Sequence, residues 1–217
     1  MKKLILVFSI MFCFQISRSQ DLPDLKAYRS DIGFNTSFLF SGILNSNPGP
    51  FDLLYKKQTK DHAANRFGTQ IQFSTNANIY SYGSNYNEYS NTTISISIGK
   101  EIQKQITKYW IFYYGMDFAP YFYSNEQSSY NNSILQNQTK SNDYGLRVSP
   151  FLGLRFAINE RLYVATETML NASFGKKKAT SEYYDPLTQT YSSNAKVFNQ
   201  TKFFITPASG IFIFYRF

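Results

Sequence analysis

From residue 31 to the last residue, apolar side chains return at every second position in one segment after another, and nothing of comparable length shows the three-and-four spacing of a helix. In a strand, successive side chains point to opposite faces, so each segment has one bulky apolar face and one small or polar face. The chain is therefore predicted to be all-β.

The pattern is plainest in Arg66 to Thr75, where Phe67, Thr69, Ile71 and Phe73 alternate with Arg66, Gly68, Gln70, Gln72 and Ser74. Thr92 to Glu101 sets Ile94, Ile96 and Ile98 against Thr93, Ser95, Ser97 and Gly99. Lys108 to Tyr123 sets Trp110, Phe112, Tyr114, Met116 and Phe118 against Ile111, Tyr113, Gly115, Asp117 and Ala119. Asp143 to Phe156 and Arg161 to Phe174 repeat it, as do Asp31 to Ser41, the shorter Phe51 to Lys57, and Thr201 to Phe217 at the end. Eight strands are expected, an even number and the smallest of the membrane-barrel class.

A soluble barrel or sandwich shares the period, so the decision rests on which face points inward. One set is nearly free of charge and carries Ile, Leu, Phe and Trp; the other carries Gly, Ser, Gln, Arg and Glu. A narrow lumen suits the second set, and lipid suits the first. Aromatic residues make up 18% of the chain, with 18 Tyr and 21 Phe, which is enough to supply interfacial girdles. The fold is thus read as a transmembrane antiparallel up-and-down β-barrel.

The connections support this. Those expected on one side are short, such as Ala157 to Glu160, whereas Asn76 to Asn91, Ser124 to Asn142 and Gly175 to Gln200 are long and polar. Short inner turns against long outer loops is the arrangement of an outer-membrane barrel, and it returns both chain ends to the periplasmic side.

Before the alternation begins, Met1-Lys2-Lys3, the apolar run Leu4 to Phe14 and a more polar stretch to Gln20 follow the order of a secretory signal peptide. The run is well short of the roughly 20 residues of a spanning helix. Residues 1–20 are read as the signal and 21–217 as one barrel domain. Cys13 is preceded by Phe12, which does not suit a lipoprotein site, and residues 21–217 contain no cysteine, so neither a disulfide nor a thiolate metal site is expected. The formal charge of +8 falls to +5 once Lys2, Lys3 and Arg18 are removed, a mild excess that points to a phosphate-bearing lipid surface rather than nucleic acid.

The chain ends Ile211-Phe212-Ile213-Phe214-Tyr215-Arg216-Phe217. With the alternation before it, this segment resembles the small outer-membrane β-barrel family of Gram-negative bacteria, which includes OmpA- and OmpX-type barrels. The resemblance implies that Ile211, Ile213, Tyr215 and Phe217 form the terminal signal read by the barrel-assembly machinery. Phe212 and Phe214 depart from the pattern, since they put apolar rings on the face assigned to the lumen.

Charged residues on that luminal face are Arg66, Asp117, Arg147, Arg155 and Glu167, with Lys56 and Lys100 as further candidates. Charges withdrawn from water require partners, and the expected pairs are Glu167 with Arg155 and Asp117 with Arg147. Such a network is read as a structural plug, because an eight-stranded interior is just wide enough for side chains to fill it.

Barrels of similar fold include proteases and lipid A acyl-modifying enzymes that use a rim histidine, but the single histidine here, His62, is expected in a periplasmic turn beside Asp61 with no converging nucleophile. No catalytic, metal-binding or cofactor-binding residue is assigned, and no phosphate-binding glycine loop occurs. The outer segments Asn85 to Ser90 and Tyr183 to Asp185 have the Asn/Tyr/Ser composition of adhesive or receptor surfaces, so an extracellular ligand is a candidate partner beside outer-membrane lipid and the assembly machinery. The resulting expectation is an outer-membrane barrel of structural or surface-interaction role. A small-solute, porin-like barrel and a periplasmic lipocalin-like binder are the alternatives.

Overall fold

The computed structural model describes residues 30–36, 50–60, 62–79, 85–131, 134–207 and 211–217. The expected signal peptide, the start of the barrel domain and the continuation of the first strand to Ser41 lie outside these residues. Among the described residues there are nine strands: β1 (Ser30–Asn35), β2 (Phe51–Lys60), β3 (Ala63–Ile79), β4 (Tyr86–Gln105), β5 (Trp110–Asn131), β6 (Ile134–Ala157), β7 (Leu162–Asp185), β8 (Thr190–Thr206) and β9 (Phe212–Arg216).

All pairings are antiparallel, each strand from β1 to β7 pairs with the next, and β1 pairs with β9 to close the sheet on itself. β8 and β9 form one stave in two pieces. β8 lies along β7 from Met169 to Asp185, and β9 lies along the same strand from Leu162 to Ala165. The molecule is therefore an eight-stave barrel.

Its shear follows from the register. From Ile32 one path runs through Tyr215 to Leu162. The other runs through Tyr55, Phe67, Ile98, Phe118 and Val148 to Ala172. The two meet on β7 ten residues apart. Eight staves with that stagger tilt by roughly 40° and leave a backbone radius of roughly 8 Å, narrow enough for side chains to fill.

The end of the barrel that holds Ser30 and Phe217, which exchange backbone hydrogen bonds of 3.1 and 2.9 Å, is called proximal here. Its turns are short because local groups close them. Asn159 Oδ1 accepts from the backbone N–H groups of Arg161 and Leu162 at 2.9 and 2.7 Å, and Thr107 Oγ1 accepts from that of Trp110 at 3.2 Å.

The distal end differs from expectation. Most of the three long polar segments is strand: β3 and β4 pair out to Ile79 and Tyr86, β5 and β6 to Asn131 and Ile134, and β7 and β8 to Asp185 and Thr190. Strands of 22 to 24 residues measure roughly 75 Å, far more than an eight-stave ring needs to close. Among the described residues, the barrel therefore continues as a six-strand wall past Asn35 and Phe51.

Candidate functional site: a charged knot in the lumen

Alternation sorts the side chains as strand geometry requires. Ile94, Ile96, Ile98, Phe118, Leu146 and Leu152 are exposed on the outer wall, while Arg66, Asp117, Arg155 and Glu167 are buried inside. Arg147 is half-buried on the same inner face. The five charged residues assigned to the lumen thus all point into it.

Their pairing is not the expected one. Arg66 from β3 is the hub. Its Nη1 and Nη2 donate to Glu167 Oε1 and Oε2 at 3.0 and 2.9 Å, Nη1 also donates to Glu101 Oε2 at 2.8 Å, and Nη2 donates to Asp117 Oδ2 at 3.2 Å. Lys56 Nζ lies 2.7 Å from Glu101 Oε2 and 3.8 Å from Glu167 Oε1. Tyr113 Oη donates to Glu167 at 3.0 Å, and Gln103 Nε2 donates to Glu101 at 2.8 Å. One guanidinium thereby receives carboxylates from β4, β5 and β7, using a planar fork that no lysine could replace.

Arg155 does not pair with Glu167. Its guanidinium lies 4.7 Å from the Tyr163 ring centre, and its terminal nitrogens have no hydrogen-bond partner among the described residues. Arg147 does not pair with Asp117 either; its Nη2 reaches Ser95 Oγ at 3.4 Å. Lys100 is one residue out of phase and stands exposed on the outer wall opposite Met116, as Lys57 and Lys104 also stand exposed there.

Several charged members of the lumen were not assigned from the sequence. Glu101 extends the Ser95, Ser97, Gly99 phase by one step, a signal available in the alternation itself. Asp31 and Arg216 form a second cluster at the seam between β1 and β9: Arg216 Nε donates to Asp31 Oδ1 at 2.9 Å, while Tyr163 Oη and Gln58 Nε2 donate to Oδ2 at 3.0 and 3.2 Å.

The rings that broke the pattern of the last strand have a physical role. Phe214 is fully buried and stacks on Tyr163 at 4.7 Å between ring centres. Lys56 Nζ lies 4.6 Å from the Phe214 ring centre and 4.5 Å from that of Tyr113, and Arg66 lies 3.8 Å from that of Phe151. Aromatic faces therefore line the buried cations and supply electrostatic contact where water is excluded. Glycines make room for them. Gly33 is the register partner of Phe214, and Gly153 that of Tyr113; a Cβ at either would enter the ring opposite.

On the terminal strand, Ile211, Tyr215 and Phe217 are exposed and Ile213 is half-exposed on the outer wall, whereas Phe212, Phe214 and Arg216 are buried inside. His62 stands exposed in the β2–β3 turn, where its carbonyl accepts the Gln103 N–H at 2.8 Å. Among the described residues no three His, Cys, Asp or Glu side chains are placed to hold a metal ion.

No protein-family model matches the chain, and no curated protein does. Among solved structures it is similar to CarO2 of Acinetobacter baumannii, at 9% identity and TM-score 0.36 over 92% of this chain and 100% of that one. It is also similar to CarO of the same organism, at 10% identity and TM-score 0.32 over 88% of this chain and 97% of that one.

Proposed function

We propose that the protein is an outer-membrane β-barrel with a structural or surface-interaction role, that its lumen is closed to solutes by the Arg66 knot, and that its distal wall projects from the cell as a rigid display surface. The observation that carries this reading is the outer face of the ring. On β5 it runs Trp110, Phe112, Tyr114, Met116, Phe118, Pro120, Phe122 without a charge. That is about 40 Å along the strand, or roughly 30 Å along the axis at the tilt given above, close to the thickness of a bilayer core.

Aromatic residues bound the band at both edges. Tyr109, Trp110 and Phe156 cluster proximally. Phe73, Phe122, Tyr144 and Phe174 stand exposed near the distal edge. The exposure of so many large apolar side chains is unfavourable in water and neutral in lipid. Orientation with the proximal end in the periplasm places the short turns and both described chain ends there, and it leaves the Ile211, Ile213, Tyr215, Phe217 face to lipid and to the assembly machinery.

The role assigned is display rather than chemistry. Distal to the band the wall is held by Tyr86 stacked on Tyr130 at 4.5 Å, and by Asn125 Nδ2 donating to Asn91 at 2.5 Å and Ser124 Oγ to Asn142 at 2.8 Å. Fixed tyrosines with adaptable amides suit binding of an extracellular ligand.

Fractionation of cells and gel migration of boiled against unboiled extract test the placement. The protein is expected in the outer-membrane fraction and heat-modifiable, and recovery from the periplasm would overturn the reading. Purified protein in planar bilayers is expected to give no discrete conductance steps; regular steps would refute the closed lumen.

A further inference from the structure

Distal to the knot the lumen widens into a chamber of about 140 Å³. Arg66, Asp117 and Glu167 form its floor, and Leu54, Met169 and Phe212 give it apolar flanks. Two of its walls carry opposite charges that do not meet. Asp52 comes from β2 and Arg147 from β6, four staves apart on a ring of eight and so diametrically opposed.

Each has an unsatisfied atom. Asp52 Oδ2 accepts from Asn35 Nδ2 at 3.1 Å and Gln70 lies beside the carboxylate, but Oδ1 is buried and has no partner at full hydrogen-bond geometry among the described residues. Arg147 makes the long bond to Ser95, and its Nε is likewise buried and unpartnered. No ion pair or hydrogen bond joins the two side chains across the gap. Buried groups of this kind ordinarily find a partner. An anion alone would satisfy Arg147 and leave Asp52 unmet, and a cation alone would do the reverse.

We infer that the chamber binds a short zwitterion, its ammonium group on Asp52 and its oxyanion on Arg147, with a carbon linker against the apolar flanks. The volume is close to that of a cavity that accommodates benzene, which restricts the occupant to about six heavy atoms. The knot beneath closes the proximal exit, so the chamber is a binding vestibule and not a passage. The inference rests on the closed eight-stave ring alone, and it does not depend on which side of the wall faces lipid.

The test is titration of the purified mature protein in detergent micelles, by calorimetry and by amide NMR shifts, with β-alanine and its single-charge isosteres propionate and propylamine. Saturable binding of β-alanine is expected, with each isostere at least tenfold weaker. Asp52→Asn and Arg147→Gln, both checked for heat-modifiability, are each expected to weaken β-alanine at least tenfold. Equal binding of propionate or propylamine, variants that bind as wild type, or no saturable binding would overturn the proposal. A crystal structure grown with β-alanine that shows only waters between Asp52 and Arg147 would also overturn it. Should either variant fail to fold, the isostere series on the unaltered protein still decides.

Discussion

The six strands of the wall, β3 to β8, also run through the ring below it, yet the two regions are held by different forces. In the ring, strands present an outer face that is mainly apolar, with Lys57, Lys100 and Lys104 among its exposed charges, and a lumen in which Arg66, Lys56, Glu101, Asp117 and Glu167 interlock. In the wall both faces are mainly polar, with Ile134, Val197 and Phe198 as exposed exceptions, and cohesion comes from backbone ladders, tyrosine stacking and side-chain amides. Lys140 with Glu126 at 3.3 Å represents the wall's ion pairs: both side chains are substantially exposed, where such a pair contributes little. A ring of this kind loses stability as a unit when its hub is removed, whereas the wall should open locally, pair by pair.

The largest expected effect is therefore at Arg66. Arg66→Ala leaves three buried carboxylates facing one lysine and should destabilise the barrel by about 3–5 kcal/mol, the usual consequence of breaking a buried ionic group. Urea titration in micelles, read as loss of the fast-migrating unboiled band, measures it. An unchanged midpoint would mean that the knot is incidental to the ring.

Smaller effects are expected where glycine admits an aromatic ring. Gly153→Val must displace Tyr113, and with it the hydrogen bond to Glu167; overpacking of this sort costs about 1–3 kcal/mol. The same urea titration should place this variant between wild type and Arg66→Ala. In the wall, Tyr86→Ala removes the stack on Tyr130, worth about 0.5–1.5 kcal/mol. Hydrogen exchange should quicken at the β4–β5 and β3–β4 tips while the urea midpoint stays put. A moved midpoint would show that wall and ring unfold together.

The smallest effect belongs to the β7–β8 tip. There the Asp185 carboxylate accepts the Leu187 N–H at 2.9 Å and the Thr188 hydroxyl at 2.9 Å, and the Leu187 bond above all holds its pKa below the usual carboxylate value. A depressed carboxylate pKa gives a contribution present above the unfolded pKa and lost as pH falls through the folded one. The protection factor of the Leu187 amide, its exchange rate measured against the intrinsic rate at each pH, should accordingly fall in acid, and Asp185→Ala should abolish that pH dependence.

Why the sequence revealed one region and hid the other follows from the same contrast. Where one face is apolar and the other polar, the period of two is visible in the residues, and it sorted Phe67 from Arg66 and Phe118 from Asp117. From Ser124 to Asn142 both faces are polar, so the alternation leaves no hydrophobic trace and the segment resembles a loop. Its length was the neglected signal, since structureless connections of nearly twenty residues are uncommon in ordered domains. Partner choice in the knot was also hidden. Sequence places Arg155 and Arg66 on one face alike, but only the ten-residue shear decides which guanidinium meets Glu167. Lys100 lies outside the lumen for a related reason, since one residue of phase moves a side chain from lumen to outer wall.

The central claim, that the alternating apolar face meets lipid, can be tested on adjacent residues of one strand. Residues 21–217 contain no cysteine, so Ile96→Cys and Ser97→Cys each give a single label site within them. With a fluorophore at each, in vesicles whose acyl chains carry bromine, fluorescence at position 96 should be strongly quenched and that at position 97 left nearly unchanged. Quenching at 97 with none at 96 would mean that the apolar face is an interior, and the account would fail.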